Sequence, residues 1–388
     1  MKSTLSLTLG LVIILLTACT KQLAHEEKAL KRIQNKWLTD HRTAIFNVEI
    51  IARGSNVVLK GETTLPLAKE DLLLAIKQRE VNVIDSISVL PEKKLFKQWA
   101  ITTLSNANLR DEPKHAAQLV TQTTLGTPVK VLKQNEDWSL VQSPDQYIAW
   151  TNNSSLHFVN DSELSHWKTS TRAIMMQDSW MCHENGERIA DLLAGSIVRL
   201  NGQNGTMSHV ALPDGRSGYV KSQYIREFSE WIESVDVKGE NLLKTAKQFM
   251  GLPYLWGGTS TKAVDCSGFV KTVYFLNGYV LARDASQQIN YGEAIDLNVA
   301  QLKAGDLLFF GQETPRKVTH VGMYIGDTEY IHSSGRVKIN SLDTSRENYN
   351  DYRSSTWLGA QRYIGQASSK GIIPIKAHPW YVQLKMND

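Results

Sequence analysis

The stretch Tyr254-Leu-Trp-Gly-Gly-Thr-Ser-Thr-Lys-Ala-Val-Asp-Cys-Ser-Gly-Phe-Val constrains this chain more than any other, because it sets a cysteine where a loop turns into a helix. Asp265 is a good N-cap, and Phe269, Val270, Val273 and Leu276 recur behind it at helical spacing. Asn277-Gly278 supplies the left-handed residue that ends such a helix. Cys266 therefore falls in the first turn. Unpaired backbone N–H groups and the positive end of the helix dipole favour a thiolate there, the form that attacks carbonyl carbon.

Such a nucleophile needs a base. Lys317-Val-Thr-His-Val-Gly-Met-Tyr-Ile-Gly-Asp-Thr-Glu-Tyr-Ile-His-Ser reads as two strands joined by a Gly326-Asp327 turn. A turn centred near Asp327 sets His332 opposite Gly322, and strand alternation puts Gly322 on the face that carries His320. The two imidazoles are then diagonal neighbours, roughly 7 Å apart at Cα. One deprotonates Cys266 and the other orients it, with histidine in the place a carboxylate often takes.

Gly251, Tyr254, Trp256, Gly257, Gly258, then Asp265-Cys266-Ser267-Gly268, then His320 and His332 together resemble the NlpC-type cysteine peptidases of bacterial cell walls. The resemblance covers about a third of the chain. It implies a papain-like fold, peptide hydrolysis without a cofactor, and catalysis by Cys266, His320 and His332. The oxyanion is expected at the Cys266 N–H and the Tyr254 hydroxyl. Tyr254, Trp256, Asp265 and Ser267 are expected to bind substrate. Arg283-Asp284-Ala-Ser-Gln-Gln resembles a groove-lining segment of the relatives, so that Arg283 and Asp284 would meet a carboxylate and an ammonium of a zwitterionic peptide.

An internal repeat precedes this domain. Leu125-Gly-Thr-Pro-Val-Lys-Val-Leu, Trp138-Ser-Leu-Val and Asp145-Gln-Tyr-Ile-Ala-Trp find counterparts in Leu193-Ala-Gly-Ser-Ile-Val-Arg-Leu, His209-Val-Ala-Leu and Asp214-Gly-Arg-Ser-Gly-Tyr-Val. Both copies are short alternating strands with turn punctuation, and they resemble the SH3-like barrels of bacterial wall enzymes. Upstream, the charged segment Glu26 to Leu38 reads as a helix, and residues 45–90 read as strand, strand, helix, strand, a small α+β module. The expected class is α+β: a papain-like NlpC-type domain (236–365) after two all-β SH3-like barrels (96–158 and 159–230), an N-terminal helix and module (19–95) and a C-terminal tail (366–388).

This domain order most resembles the YkfC-type γ-D-glutamyl-L-diamino acid endopeptidases. They imply cleavage between D-Glu and the diamino acid of wall stem peptides, with Glu112 and Tyr147 of the first barrel binding the free amine of a terminal L-Ala. Gln146 and Ala149 stand where glycines are usual around that tyrosine. An amidase or acyltransferase on the same scaffold differs only in the acceptor. A non-catalytic wall-binding lipoprotein is the third reading, but an inactivated enzyme should have lost Cys266, His320 or His332, and all three are present.

Residues 1–18, with one early lysine and an apolar run from Leu9 to Leu16, read as a signal peptide too short to span a bilayer comfortably. Leu16-Thr-Ala-Cys19 resembles a lipobox. Cys19 is thus the expected lipidation site, and the chain is expected to be exported and lipid-anchored, at the outer membrane facing the periplasm if the cell is Gram-negative. Cys182 and Cys266 are then the other cysteines, and both are expected to be unpaired because a disulfide would remove the nucleophile. The net charge is +4, with no clustered basic stripe, which argues against nucleic acid. No metal-ligand cluster stands out. The expected partners are peptidoglycan-derived peptides and a membrane, and the chain is expected to be a monomer.

Overall fold

A computed structural model describes residues 23–78, 81–367 and 370–384. The proposed signal segment and Cys19 lie outside the described residues. The chain forms two compact units, divided between Leu95 and Phe96.

In the first unit a helix over residues 23–37 is followed by the antiparallel strands Phe46–Arg53 and Asn56–Thr63. Gly54, at φ +61°, makes the tight turn between them. The helix Pro66–Lys77 then crosses over to Asn82–Val89, which pairs parallel to the second strand. That helix begins at Pro66, which at the first turn presets the backbone and has no N–H to lose. Ile33, Phe46, Leu59, Leu72 and Ile76 form its core, so the N-terminal helix packs in this unit.

The second unit begins with the two repeats. The first contributes strands Trp99–Thr102, Asn106–Arg110, Leu119–Thr124, Pro128–Asn135, Trp138–Gln142, Ile148–Asn152 and Leu156–Val159. The second contributes Arg172–Met175, Ser179–Cys182, Arg188–Leu192, Ile197–Asn204, Met207–Ala211, Ser217–Lys221 and Ile225–Glu227. In both sheets the spatial order is seventh, first, fourth, fifth, sixth, second, third. Each copy also has a 3-10 turn between its sixth and seventh strands and a bulge at the same place in its fourth, between Val131 and Lys133 or Leu200 and Gly202. The duplication read from sequence is therefore structural.

The expected barrels are not closed, since the third and seventh strands end each sheet. In the first copy that open edge is used. The Thr259 N–H and hydroxyl, from the catalytic domain, bond to the Gln122 side chain (2.9 Å) and carbonyl (3.1 Å).

The catalytic domain is α+β. Helix Cys266–Phe275 packs against a six-stranded antiparallel sheet ordered Glu293–Ile295, Trp357–Arg362, Leu307–Gln312, Lys317–Gly326, Glu329–Ser334, Arg336–Ser341. Phe269, Val270 and Val273 meet Leu307, Phe309, Val321, Met323 and Ile331 in its core. The tail packs back instead of hanging loose. Ile372–Pro374 pairs with Tyr279–Leu281, and Ile375 and Tyr381 enter a core with Ile101, Ile174 and Trp231. Among the described residues no helix is long and apolar enough to cross a membrane.

Candidate active site

The helix starts at Cys266 because of Asp265. Its Oδ1 accepts the Gly268 N–H at 2.7 Å and its Oδ2 accepts the Gly257 N–H at 2.9 Å, so one carboxylate caps the helix and pins the Gly257-Gly258 turn. Arg283 grips the same carboxylate with two nitrogens, at 3.1 and 2.5 Å, and also donates to the Ser267 hydroxyl at 2.9 Å and the Thr121 hydroxyl of the first repeat at 3.0 Å.

This corrects the expectation that Arg283 presents its guanidinium to a substrate carboxylate. The side chain is 1% exposed and already forked onto Asp265, so it positions the nucleophile's cap instead. Asp265 and Ser267 are buried in the same network. The accessible groups near the nucleophile are half-buried Tyr254, exposed Trp256 and half-buried Asp284, whose N–H bonds to Gln287 at the start of helix Ala285–Gln288.

Burial, and then the charge of Asp265, push the Cys266 thiol up to about 11. The Val321 N–H, the Arg283 charge and the Ser267 N–H pull the other way but do not prevail. The expectation of a standing thiolate is thereby corrected: the carboxylate that starts the helix offsets the helix's own field at its first residue. The proton has to leave during attack. The Val321 N–H reaches the sulfur, and Val321 follows His320 on strand Lys317–Gly326.

The hairpin brings the histidines together. Its register pairs Met323 with Ile331, and the turn residues are Asp327 and Thr328, both left-handed, one position beyond the expected pair. A Cβ added at Gly322 would lie 3.2 Å from the His332 Cβ, so the small residue makes room for the second imidazole. His320 Nε2 and His332 Nδ1 are 2.7 Å apart, His332 Nε2 and Asn340 Oδ1 are 2.9 Å apart, and Asn340 Nδ2 donates to the Asn348 carbonyl at 2.8 Å.

The protons follow from that last contact. A carbonyl only accepts, so the Asn340 amide nitrogen faces Asn348 and its oxygen faces His332. His332 therefore donates from Nε2 and accepts at Nδ1, and His320 donates from Nε2, which leaves His320 Nδ1 bare for the cysteine proton. Both imidazoles are neutral. Burial first, and then His332, holds His320 well below its ordinary value, and burial lowers His332 to about 4. Burial, and then the Cys266 and Asp265 charges, raise the Tyr254 phenol, which stays a hydrogen-bond donor beside the nucleophile.

The first repeat contributes less evenly. Tyr147 is buried one residue before strand Ile148–Asn152, not within it, and lies in electrostatic range of Arg283. Gln146 itself takes φ +69°, the conformation for which glycine is usual. Glu112 sits in the loop before Leu119–Thr124 and pairs at 2.7 Å with Lys114 in an exposed position. Cys182 is a half-buried free thiol, and Cys266 is also free. Among the described residues no group of three or more histidine, cysteine or acidic side chains is placed to hold a metal.

Two residues near the centre have no part in the sequence reading. Asn340 lies on the strand after the hairpin, where the alternation Val337-Lys-Ile-Asn following Gly335 was a usable signal. Arg353 lies on the short helix Asp351–Ser355, and nothing local in the sequence marks it.

The NlpC/P60 family model matches residues 251–361, and the model of the bacterial dipeptidyl-peptidase SH3 domain matches residues 109–156. Dipeptidyl-peptidase 6 of Lysinibacillus sphaericus is 31% identical over 265 residues, 64% of this chain and 94% of that protein. A γ-D-glutamyl-L-lysine dipeptidyl-peptidase of Bacillus subtilis is 30% identical over 224 residues, 55% of this chain and 71% of that protein. The crystal structure of an NlpC/P60 family protein from Bacillus cereus aligns with a TM-score of 0.60 at 25% identity, covering 69% of this chain and 99% of that one.

Proposed function

The chain belongs to the NlpC/P60 family and is a cell-wall endopeptidase, and from that premise we propose that Cys266 attacks the γ-carbonyl of D-Glu in the stem peptide and expels the diamino acid. The observation that carries the reading is the hydrogen-bonded series from the Asn348 carbonyl through Asn340 and His332 to His320, on the strand whose Val321 N–H reaches the Cys266 sulfur.

As sulfur bonds to the carbonyl carbon, the thiol proton moves to His320 Nδ1, and the oxyanion meets the Cys266 N–H and the Tyr254 hydroxyl. The C–N bond then breaks and His320 returns the proton to the leaving amine. Water, deprotonated by His320, opens the thioester and releases the D-Glu γ-carboxylate and the free thiol. His332 and Asn340 act through His320 by fixing its tautomer.

A free N-terminal L-Ala is the preferred end of the substrate in this reading, held by Glu112, Tyr147 and Asp284. An acylated amine carries no charge for these carboxylates to pair with. The Leu16-Thr-Ala-Cys19 segment supports export and lipid anchoring at Cys19. Detergent partitioning and intact mass of the mature protein test the anchor, and an unacylated soluble product rejects it.

The function is tested by incubating purified protein with L-Ala-γ-D-Glu-diamino acid peptides and identifying products by mass spectrometry. Cleavage is expected at the γ-amide, lost at least about a thousandfold in Cys266→Ala. Products cut at any other bond, or undiminished cleavage by the variant, reject this mechanism.

A further inference from the structure

The leaving amine takes its proton from His320, so the part of the substrate beyond the scissile bond lies on the histidine side of the groove. That side is cationic. The Arg353 guanidinium carbon lies 6.0 Å from the centre of the Phe310 ring and 5.2 Å from that of Tyr352, and the Phe310 ring is in turn 5.9 Å from the His320 ring. One aromatic ring thus separates the cation from the base. Lys338 pairs directly across the sheet with His332, and facing residues of an antiparallel pair project to the same side.

Both cations are half-buried, and among the described residues neither forms an ion pair. Arg353 lies in electrostatic range of Tyr254 and Tyr330 as well as both histidines. The Tyr330 hydroxyl, buried in the same neighbourhood, has no hydrogen-bond partner. On the nucleophile side the arrangement is opposite: Asp265 is consumed by Arg283, and half-buried Asp284 stands next to it. The nucleophile side thus holds two carboxylates against one guanidinium, whereas the histidine side holds two cations without ion-pair partners among the described residues.

Resting on the reading of the reaction given above, we propose that Arg353, assisted by Lys338, binds a free carboxylate on the leaving diamino acid, so that the enzyme selects an anionic leaving group over one that is only cationic. Two sources present that chemistry. One is the side-chain carboxylate of a dicarboxylic diamino acid such as diaminopimelate, and the other is the α-carboxylate of a stem peptide that ends at the diamino acid. A lysine side chain would bring a third positive charge to a place that already holds two. A planar fork held by stacking is also better suited to a carboxylate than a flexible ammonium is.

The test compares kcat/KM for four peptides of the form L-Ala-γ-D-Glu-X. In these, X is lysine or diaminopimelate with its α-carboxylate free, lysine with that group amidated, or diaminopimelate with only the side-chain carboxylate amidated. Wild type is expected to lose about ten- to a hundredfold when the recognised carboxylate is amidated, the range for one charge-assisted hydrogen bond. Arg353→Gln should cleave the free and amidated forms alike, and Arg353→Lys should recover part of the preference. Loss on amidating the side chain assigns the contact to diaminopimelate, and loss on amidating the α-carboxylate assigns it to the chain end. Equal cleavage of all four by wild type overturns the inference while leaving the reaction intact. No γ-amide cleavage of any peptide overturns the reaction and the inference with it.

Discussion

The two repeats share strand order, 3-10 turn and bulge position, yet they meet the catalytic domain in different ways. The first does so through buried polar groups. Thr121 and Gln122, on its open third strand, bond to Arg283 and Thr259, and buried Asp145 forms an ion pair with Lys271 on the catalytic helix at 2.9 Å, by charge more than by an aligned hydrogen bond. The tail adds His378, whose Nε2 donates to the Pro144 carbonyl at 3.0 Å. The second repeat contacts the same ribbon, Thr259 to Val264, from an exposed position: Lys262 lies 3.1 Å from Asp178 and 3.8 Å from Asp191, and the Thr261 hydroxyl donates to Asp178. At this ribbon one duplicated sheet is joined through buried groups and the other through exposed charges, which places the functional difference in the joint and not in the fold.

Breaking the first joint should therefore have the largest effect. Arg283→Met leaves the Asp265 carboxylate buried without its counter-charge and cuts the link to Thr121. The expected loss is about 3–5 kcal/mol in urea unfolding, because a lone buried charge costs more than the pair was worth. kcat/KM should fall with it even where the protein remains folded, since the cap of the nucleophile helix is freed. A variant that keeps wild-type stability and rate would mean that the first repeat is merely adjacent to the site.

That joint was hardly legible in the sequence, whereas the chemistry was. Cys266, His320 and His332 announce themselves because a cap, a helix period and a strand alternation are local patterns. The duplication was legible for the same reason. Arg283 was misjudged because its segment resembles one that lines a substrate groove, while the partner it grips, Asp265, is brought to it only by folding. The height of the Cys266 pKa was equally hidden, since it depends on burial and on a carboxylate serving two backbone N–H groups at once. The tail gave no pattern beyond its aromatic residues, and its strand exists only because Tyr279–Leu281 offers an edge.

Acidification distinguishes the joints without mutation. Burial lowers the His378 pKa below its ordinary value, and its Nδ1 accepts the Trp380 N–H, so protonation breaks that contact. A histidine whose folded pKa is depressed contributes stability in full above the unfolded value near 6.5 and loses it as pH falls through the folded one. The tail should thus loosen from the first repeat as pH drops below about 6.5, read from the fluorescence of Trp380, which packs 5.0 Å from Trp99. The contacts named for the second repeat contain no histidine and should not respond in this range. His332, lowered from 6.5 to about 4 by burial, adds on the order of 3 kcal/mol of stability lost over the same fall in pH. The acid limb of kcat/KM should accordingly lie well below 6.5, toward 4, as a value of the histidine pair. A limb that coincides with the Trp380 signal would show that the joint, and not the base, limits activity in acid.

The smallest effect is expected at the second joint. Lys262 is 55% exposed, and its two aspartates are partly in solvent as well. Water already solvates such charges, two long side chains lose freedom to hold one geometry, and salt screens what attraction remains. Lys262→Met should cost less than about 0.5 kcal/mol and leave kcat/KM unchanged. The Thr261–Asp178 hydrogen bond survives the substitution, and Gly257, Thr259 and Asp265, which hold the nucleophile's loop, have their partners elsewhere. Measured beside Arg283→Met in the same buffer, the variant separates proximity from coupling, since both residues join a repeat to the catalytic domain and only one reaches the cap. A tenfold fall in kcat/KM for Lys262→Met would put the second repeat into the frame of the site and erase the contrast between the two copies.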